Sequence, residues 1–217
     1  MEKEARELLN ELLHHLNELD YVHPDDIPNI DLYMDQVLTF LEQQLGQIRR
    51  DDDDKAMTKT MINNYTKNQI LPAPEKKKYS REHMLNLIFI YYLKNFLSMK
   101  DIKAILDPIN EKYFNVEEGL NFYDIYNEIV TMEKSASTDL VKDVIRKYNS
   151  SRASFSEVAE DDKEDLQNFA FICLLSFDVF VKKMMIEQFI DGLTDKSEEN
   201  SENPSEDAKT NVEAEPK

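Results

Sequence analysis

One segment, residues 58–106, constrains the fold of this chain most, because helix start signals and helix breakers alternate along it. Thr58 can cap a helix over residues 59–68, and the prolines that follow end that helix. Ser80 can cap a second helix over residues 81–97. The spacing therefore predicts a helix, a basic hairpin or loop, and a second helix.

A third, short helix completes this segment. Ser98 with Asp101 fits the capping-box pattern, and the helix is predicted to end at Leu106. Apolar residues recur at helical spacing along the segment, which indicates that its helices share a buried core. The residues expected in that core are Ile62, Tyr65, Leu87, Ile90, Ile102 and Leu106.

The same segment is basic within a strongly acidic chain. Residues 55–103 contain ten Lys or Arg residues and three Asp or Glu residues, a net charge of +7, whereas the whole chain has a formal net charge of -18. Helices arranged around a basic hairpin are what a winged helix-turn-helix needs to approach a nucleic-acid backbone. Because the rest of the surface would repel DNA, any DNA binding must be local.

Two sets of side chains are candidates for DNA contact, and both could instead form an ordinary solvated surface. Asparagine can pair with adenine, and lysine can bind guanine or phosphate. The predicted base-contacting residues are Lys59, Thr60, Asn63 and Asn64. The predicted phosphate-contacting residues are Lys67, Lys76, Lys77, Lys78, Tyr79 and Arg81.

The composition argues against catalysis and cofactor binding. With only 3 Gly residues, a Walker or Rossmann phosphate loop is excluded, and neither a nucleophile–base set nor a Cys/His cluster occurs. We therefore expect no enzyme activity, catalytic residue, cofactor or metal site. The single cysteine, Cys173, lies in an apolar run and is predicted to be a buried structural thiol.

The rest of the chain is also predicted to be helical, which makes the fold class all-α. Scarce glycine with abundant Leu, Ile, Met, Glu and Lys favours helices. Further helices are predicted over residues 2–19, from Asp31 to Gly46, and near residues 118–134, 138–150 and 162–190. The predicted regions are N-terminal helices packing on the core (1–50), the winged helix-turn-helix (51–106), a helical C-terminal bundle (107–190) and a disordered acidic tail (191–217).

The helix near residues 162–190 is apolar around much of its circumference. Such a helix either lies at the centre of a bundle or buries one face in a partner. We expect a bundle core, and the alternative is a homodimer through the C-terminal helices. The longest apolar run, Phe169–Phe177, is too short to span a bilayer, and the charged start of the chain has no signal peptide. A cytoplasmic location without membrane contact is expected.

Residues 57–72, MTKTMINNYTKNQILP, resemble the first helix-turn-helix signature of MerR-type transcription regulators. Thr58 matches the cap of that signature, Tyr65 its second aromatic residue, and residues 70–72 its exit. Residues 77–106 are similar to the wing and the helices that follow it in that family. The resemblance implies a DNA-binding winged helix-turn-helix.

The resemblance is divergent at the positions that read DNA. Asn63 and Asn64 stand where the family has Arg and Tyr, and Gln69 stands where it has Gly. A long acidic link also separates the upstream helix from Thr58.

A wider resemblance covers most of residues 10–190. The stretches LYMDQVLTFLEQQL, MTKTMINNYTKNQILPAPEKKKYSREH and FICLLSFDVFVKK are similar to an uncharacterised family of Gram-positive bacterial proteins with a domain of unknown function, family 1836. This resemblance implies a bacterial cytoplasmic protein and supplies no activity or ligand.

Two hypotheses about function follow from these patterns. The first is a bacterial transcription regulator that binds double-stranded DNA through a divergent MerR-like helix-turn-helix. The second is a non-enzymatic interaction protein that retains the scaffold and binds an acidic protein surface without binding DNA. The basic segment favours the first hypothesis, while the acidic remainder and the missing recognition-helix arginine favour the second.

Overall fold

The computed structural model describes residues 22–46 and 55–202, together with Glu7, Asn10 and His14. Residues 22–46 and 55–202 form six α-helices, one two-stranded antiparallel sheet and a short 3-10 helix, so the mainly helical prediction is confirmed. The elements are the 3-10 helix Pro24–Asp26, β1 Leu32–Tyr33, α1 Met34–Leu45, α2 Lys59–Lys67, β2 Lys78–Tyr79, α3 Arg81–Leu93, α4 Met99–Tyr113, α5 Phe122–Arg152 and α6 Glu160–Glu202.

Two sequence features lie mostly or wholly outside the described residues. The helix predicted over residues 2–19 is described only at Glu7, Asn10 and His14, which are helical. The run of four aspartates at 51–54 is not among the described residues.

The small sheet joins the start of α1 to the start of α3. Leu32 of β1 pairs with Tyr79 of β2, and Tyr33 pairs with Lys78. Leu32 and Tyr79 point inward and are buried, whereas Tyr33 is exposed, as expected when successive strand residues face opposite sides. The sheet therefore fixes where the hairpin before α3 lies relative to the core.

Helix α3 lies at the centre of one hydrophobic core. Eight of its residues are buried, on almost every side of the helix, which is the pattern of a helix surrounded by neighbours. The predicted core is confirmed, because Ile62, Tyr65, Leu87, Ile90, Ile102 and Leu106 are all buried in the same cluster. This cluster runs from Val22 to Tyr126 and also includes Ile190 of α6, so it crosses the predicted region boundaries after residues 50 and 106.

Helix α4 is longer than predicted. Its start is confirmed, because Ser98 Oγ accepts a hydrogen bond from the Asp101 backbone N–H (3.2 Å) and the Asp101 carboxylate accepts one from the Ser98 N–H (3.1 Å). The helix does not end at Leu106 but continues to Tyr113, with Pro108 inside it. Proline lacks an N–H group and usually ends a helix, so local signals alone would stop α4 earlier.

Contacts with α3 hold this extension of α4. Asn86 is buried within α3, and its Nδ2 donates to Asn110 Oδ1 of α4 at 2.9 Å. The Glu82 carboxylate accepts a hydrogen bond from the Asn115 backbone N–H at 2.7 Å, just beyond the helix end. Tertiary hydrogen bonds of this kind are invisible to helix propensity.

Helix α5 is one continuous helix, although two helices with a break at SASTD were predicted. Serine and threonine weaken a helix only slightly, and no Gly or Pro occurs at the predicted break. The hydroxyls of Ser135 and Ser137 donate to the carbonyls of Met132 and Lys134, within the helix itself. The predicted break is therefore wrong.

Helices α5 and α6 form an antiparallel hairpin rather than the predicted bundle. Tyr148 and Phe171 meet edge to face with ring centroids 5.4 Å apart, and Lys147 forms an ion pair with Asp178. Gln167 donates to the backbone carbonyl of Arg152 at 2.9 Å. Ile190, near the end of α6, is also buried in the main core beside α4. Most other apolar residues of α6 are exposed, so the predicted bundle core is wrong for them.

Two further predictions about α6 need correction. Cys173 is exposed, not buried, because the apolar run around it faces away from α5. The helix also continues to Glu202, so the segment predicted as a disordered tail from residue 191 begins as helix. Among the described residues, no helix combines the length and the apolar content needed to cross a membrane.

Candidate nucleic-acid interface

Helix α2 has one buried side and one exposed polar side. The hydroxyl of Thr58 accepts a hydrogen bond from the Met61 backbone N–H at 3.2 Å and so caps the helix as predicted. Ile62 and Tyr65 anchor the buried side in the core. The opposite side, here called the α2 arc, exposes Lys59, Thr60, Asn63, Asn64 and Lys67.

The α2 arc is not engaged by the rest of the described chain. The side chains of Lys59, Asn63 and Lys67 form no hydrogen bond or ion pair with any described residue. Donors and acceptors that face water in this way can bind base edges or phosphates without first breaking an internal contact. The structure thus brings together all four predicted base-contacting residues and Lys67 on one exposed side.

The end of α2 adopts a backbone conformation that favours glycine. Gln69 has a φ of 59°, and its N–H donates to the Thr66 carbonyl while the Ile70 N–H donates to the Tyr65 carbonyl. These two bonds form a Schellman motif, in which glycine usually occupies the left-handed position. Gln69 therefore adopts a backbone conformation that costs a residue with a Cβ roughly 1–2 kcal/mol.

The basic hairpin turns at Lys76 and Lys77, which we call the hairpin tip. Both residues are left-handed, with φ values of 48° and 65°, and the Lys78 N–H donates to the Glu75 carbonyl at 2.8 Å. Two successive left-handed residues define a primed hairpin turn, which favours Asn-Gly. Backbone preference therefore does not explain two lysines here.

Both lysines of the hairpin tip are exposed, and neither forms an ion pair with a described residue. A left-handed conformation costs a residue with a Cβ roughly 1–2 kcal/mol. The tip thus presents two positive charges to solvent at a cost in backbone energy.

Three other lysines of the basic segment have structural contacts. Lys78 is half-buried, with its ammonium 5.7 Å from the centre of the Tyr33 ring. Lys94 Nζ donates to the Ala56 carbonyl at 3.1 Å, and Lys103 Nζ donates to the Asn68 carbonyl at 3.3 Å. The net charge of the segment therefore overstates how many of its cations face solvent without a partner.

Two predicted phosphate-contacting residues are placed elsewhere. Tyr79 is 4% exposed, its ring meets the His83 ring edge to face, and burial raises the pKa of its hydroxyl. Arg81 is half-buried, donates to the Pro24 carbonyl at 2.6 Å and lies 3.9 Å from the centre of the Tyr123 ring. Tyr79 belongs to the core and Arg81 holds the loop before β1, so neither is available to grip phosphate.

A cleft of about 350 Å³ lies beside Arg81 and was not predicted from the sequence. Asp31 and Glu82 line the same cleft, and burial raises the pKa of the Glu82 carboxyl group. Charges of both signs meet there, so the cleft has no evident preference for an anion such as phosphate.

His83 is a buried ionisable residue that the sequence analysis missed. Its Nδ1 accepts a hydrogen bond from the Ser80 N–H at 3.0 Å, completing a capping box at the start of α3. Burial lowers the pKa of the imidazole from 6.5 to about 4. The spacing Ser-x-x-His could have indicated this role. The residue at this position of a capping box is normally Glu or Gln, and a histidine nitrogen can accept the same hydrogen bond from the N-cap N–H.

The comparison with known families bears on the part of the chain just described. Residues 22–129 match the model of a family described as a domain of unknown function (DUF1836). No curated protein and no solved structure matches the chain. The matched residues contain α1 to α4, and with them the α2 arc and the hairpin tip. Residues 22–129 are therefore similar to this family, whose description states no function.

Proposed function

We propose that the protein is a bacterial, non-enzymatic transcription regulator that binds double-stranded DNA through a divergent MerR-like winged helix-turn-helix. The order strand, helix, helix, hairpin, helix, helix supports this assignment, with α1 and α2 as the helix-turn-helix and β2 with its hairpin as the wing. The observation that carries the proposal is the α2 arc, which is polar, partly cationic and unengaged by the described residues.

The proposed contacts divide into two groups with different effects. Lys59, Thr60, Asn63 and Asn64 face base edges in the major groove, because they lie on the exposed side of the second helix. Lys67 and the hairpin tip hold phosphates, with Lys78 at the edge of that group. Phosphate contacts set affinity, and base contacts set sequence preference.

The second candidate function is binding to an acidic protein surface through the same scaffold. The net charge of -18 favours it, since most of the surface would repel DNA. Both functions use exposed lysines, so only a sequence-dependent measurement separates them.

Replacing Asn63 with alanine should relax sequence preference at one position of the DNA site. We expect the binding free energy to weaken by about 1–3 kcal/mol on the preferred site and to change little on unrelated DNA. The reason is that a base contact is lost while the phosphate contacts remain. Selection from a random DNA pool would supply the site, and binding titrations would compare the two proteins. If the pool yields no enriched sequence, the DNA proposal fails and the protein-binding function replaces it.

Changing the hairpin tip to Asn-Gly should separate stability from DNA affinity. The double variant Lys76→Asn/Lys77→Gly places the preferred residues in the turn, so we expect its melting temperature to rise. Loss of two phosphate contacts should weaken binding to all DNA and reduce the salt dependence by about two units in the log–log plot.

The matched control is Lys142→Ala, which removes an exposed lysine from α5, outside the proposed interface. It should leave both the affinity and the salt slope as in the wild type. A tip variant that is more stable and yet binds DNA with an unchanged salt slope would contradict the proposed phosphate contacts.

A further inference from the structure

Helix α6 exposes a row of large apolar side chains on the side turned away from α5. Phe169, Ile172, Phe177 and Phe180 are 63%, 60%, 65% and 63% exposed. Helical spacing places Cys173 and Met184 on the same side, and both are exposed. We call this row the α6 stripe.

The α6 stripe is as large as the largest apolar patches of typical monomers, which are often functional. A buried phenylalanine removes roughly 150–250 Å² from water, so the three phenylalanines alone would contribute on the order of 300–500 Å² at their present exposure. With Ile172 and Met184 the stripe approaches the roughly 800 Å² per partner of a standard protein interface. Contiguous apolar surface of this size indicates a docking face.

We propose that the α6 stripe is the interface with a second copy of this chain, with the two α6 helices antiparallel. A two-fold axis between Cys173 and Ser176 would set Phe169 of one copy opposite Phe180 of the other. It would also set Ile172 opposite Phe177. Such an interface is self-complementary and closes, so each apolar residue meets an apolar residue.

The charges on and beside the α6 stripe bear on the direction of the pair. Asp165 and Lys183 lie on the same edge of the helix, because eighteen residues are five full turns, and they stand about equally far from the proposed axis. In an antiparallel pair each Asp165 therefore faces Lys183 of the second copy, and this pairing occurs twice. Asp162 and Glu187 also face each other at the two ends of the stripe, and Lys183, 3.5 Å from Glu187 in its own chain, offsets part of that repulsion. A parallel pair would set Asp162 against Asp162 and Glu187 against Glu187 in the row of the stripe, and it would separate Asp165 from Lys183 of the second copy by five turns. The antiparallel pair is therefore the one in which an attractive pairing forms.

The helix hairpin already uses the opposite side of α6. Phe171, Gln167 and Asp178 contact α5, so the second copy would cover the side that α5 leaves open. Two hairpins joined in this way form a four-helix arrangement, in which the part of α6 that α5 contacts is covered on both sides. The inference does not depend on DNA binding, and its test uses no DNA.

Sedimentation velocity of the full chain over a dilution series tests the proposal. The wild type should sediment as a dimer, and Phe169→Glu/Phe180→Glu should raise the dimer dissociation constant on the order of a hundredfold or more. Because both residues are exposed, the circular dichroism spectrum of the variant should stay helical. The control Leu193→Glu replaces an apolar residue that is 54% exposed on another side of α6 and should leave the dimer intact.

Two further measurements test the contact itself and its direction. Cys173 is the only cysteine, so a short bis-maleimide should join two wild-type chains and leave Cys173→Ser unjoined. Lys183→Glu should weaken the dimer, and adding Asp165→Lys to the same chain should restore it. A wild type that is monomeric at every concentration, or a dimer that survives both glutamates, would overturn the proposal. A charge swap that restores nothing would overturn the antiparallel direction.

Discussion

Replacing Leu87 with alanine should lower the free energy of unfolding by about 2–5 kcal/mol. Leu87 is 0% exposed and lies on the central helix α3, whose neighbours cover it on every side. The loss combines the transfer free energy of the removed methyl and methylene groups with the cost of the cavity left behind. Urea denaturation of both proteins at neutral pH would measure the difference.

The control for this prediction is Leu120→Ala. Leu120 is 56% exposed just before α5, so the same chemical change should cost well under about 1 kcal/mol there. Equal losses for the two variants would mean that the core is not centred on α3, and the fold described above would then be incorrect.

Acidification should destabilise the protein through His83, and His83→Gln should remove that effect. The pKa of the imidazole is lowered from 6.5 to about 4 by burial between the rings of Tyr79 and Phe114. The charge of Asp31 and the nearby carbonyls of residues 72 and 73 oppose this decrease, although His83 Nε2 forms no hydrogen bond with any described residue. The neutral ring is therefore the form that the fold retains.

The direction of the pH effect follows from which state binds the proton. Below pH 6.5 the unfolded chain protonates His83 while the folded chain does not, down to about pH 4. The contribution of neutral His83 to the free energy of unfolding is fully present above pH 6.5, and it is lost progressively as the pH falls towards 4. At 1.36 kcal/mol per pKa unit the total loss is about 3 kcal/mol.

Glutamine is the informative replacement, because it is a normal third residue of a capping box and can still accept the Ser80 N–H. Denaturation curves at several pH values between the two pKa values would compare His83→Gln with the wild type. Acidic residues titrate in both proteins, so the difference between them isolates the histidine. If both lose stability in parallel, His83 is not buried in the neutral form.

Local sequence signals determined much of the structure of residues 22–129. Thr58, Ser80 and Ser98 begin their helices where predicted, because a cap depends on hydrogen bonds within one turn. Helical spacing also separated the buried residues of α2 from its exposed arc, since a helix with one apolar side has only one way to face a core. The helix starts and the buried side of α2 therefore depend on nearby residues and not on distant parts of the chain.

The tertiary structure alone decided what each basic or apolar side chain meets. Arg81 contacts Pro24, Lys94 contacts Ala56 and Lys103 contacts Asn68, so three cations of the basic segment are bound to distant backbone carbonyls. The exposure of the apolar side of α6 was likewise not predictable. Composition shows that a helix has apolar residues on several sides, but it does not show how many of those sides pack against other helices. Short-range signals determine where helices begin. The contacts of each side chain depend on which elements the folded chain brings together, and this depends on the whole sequence.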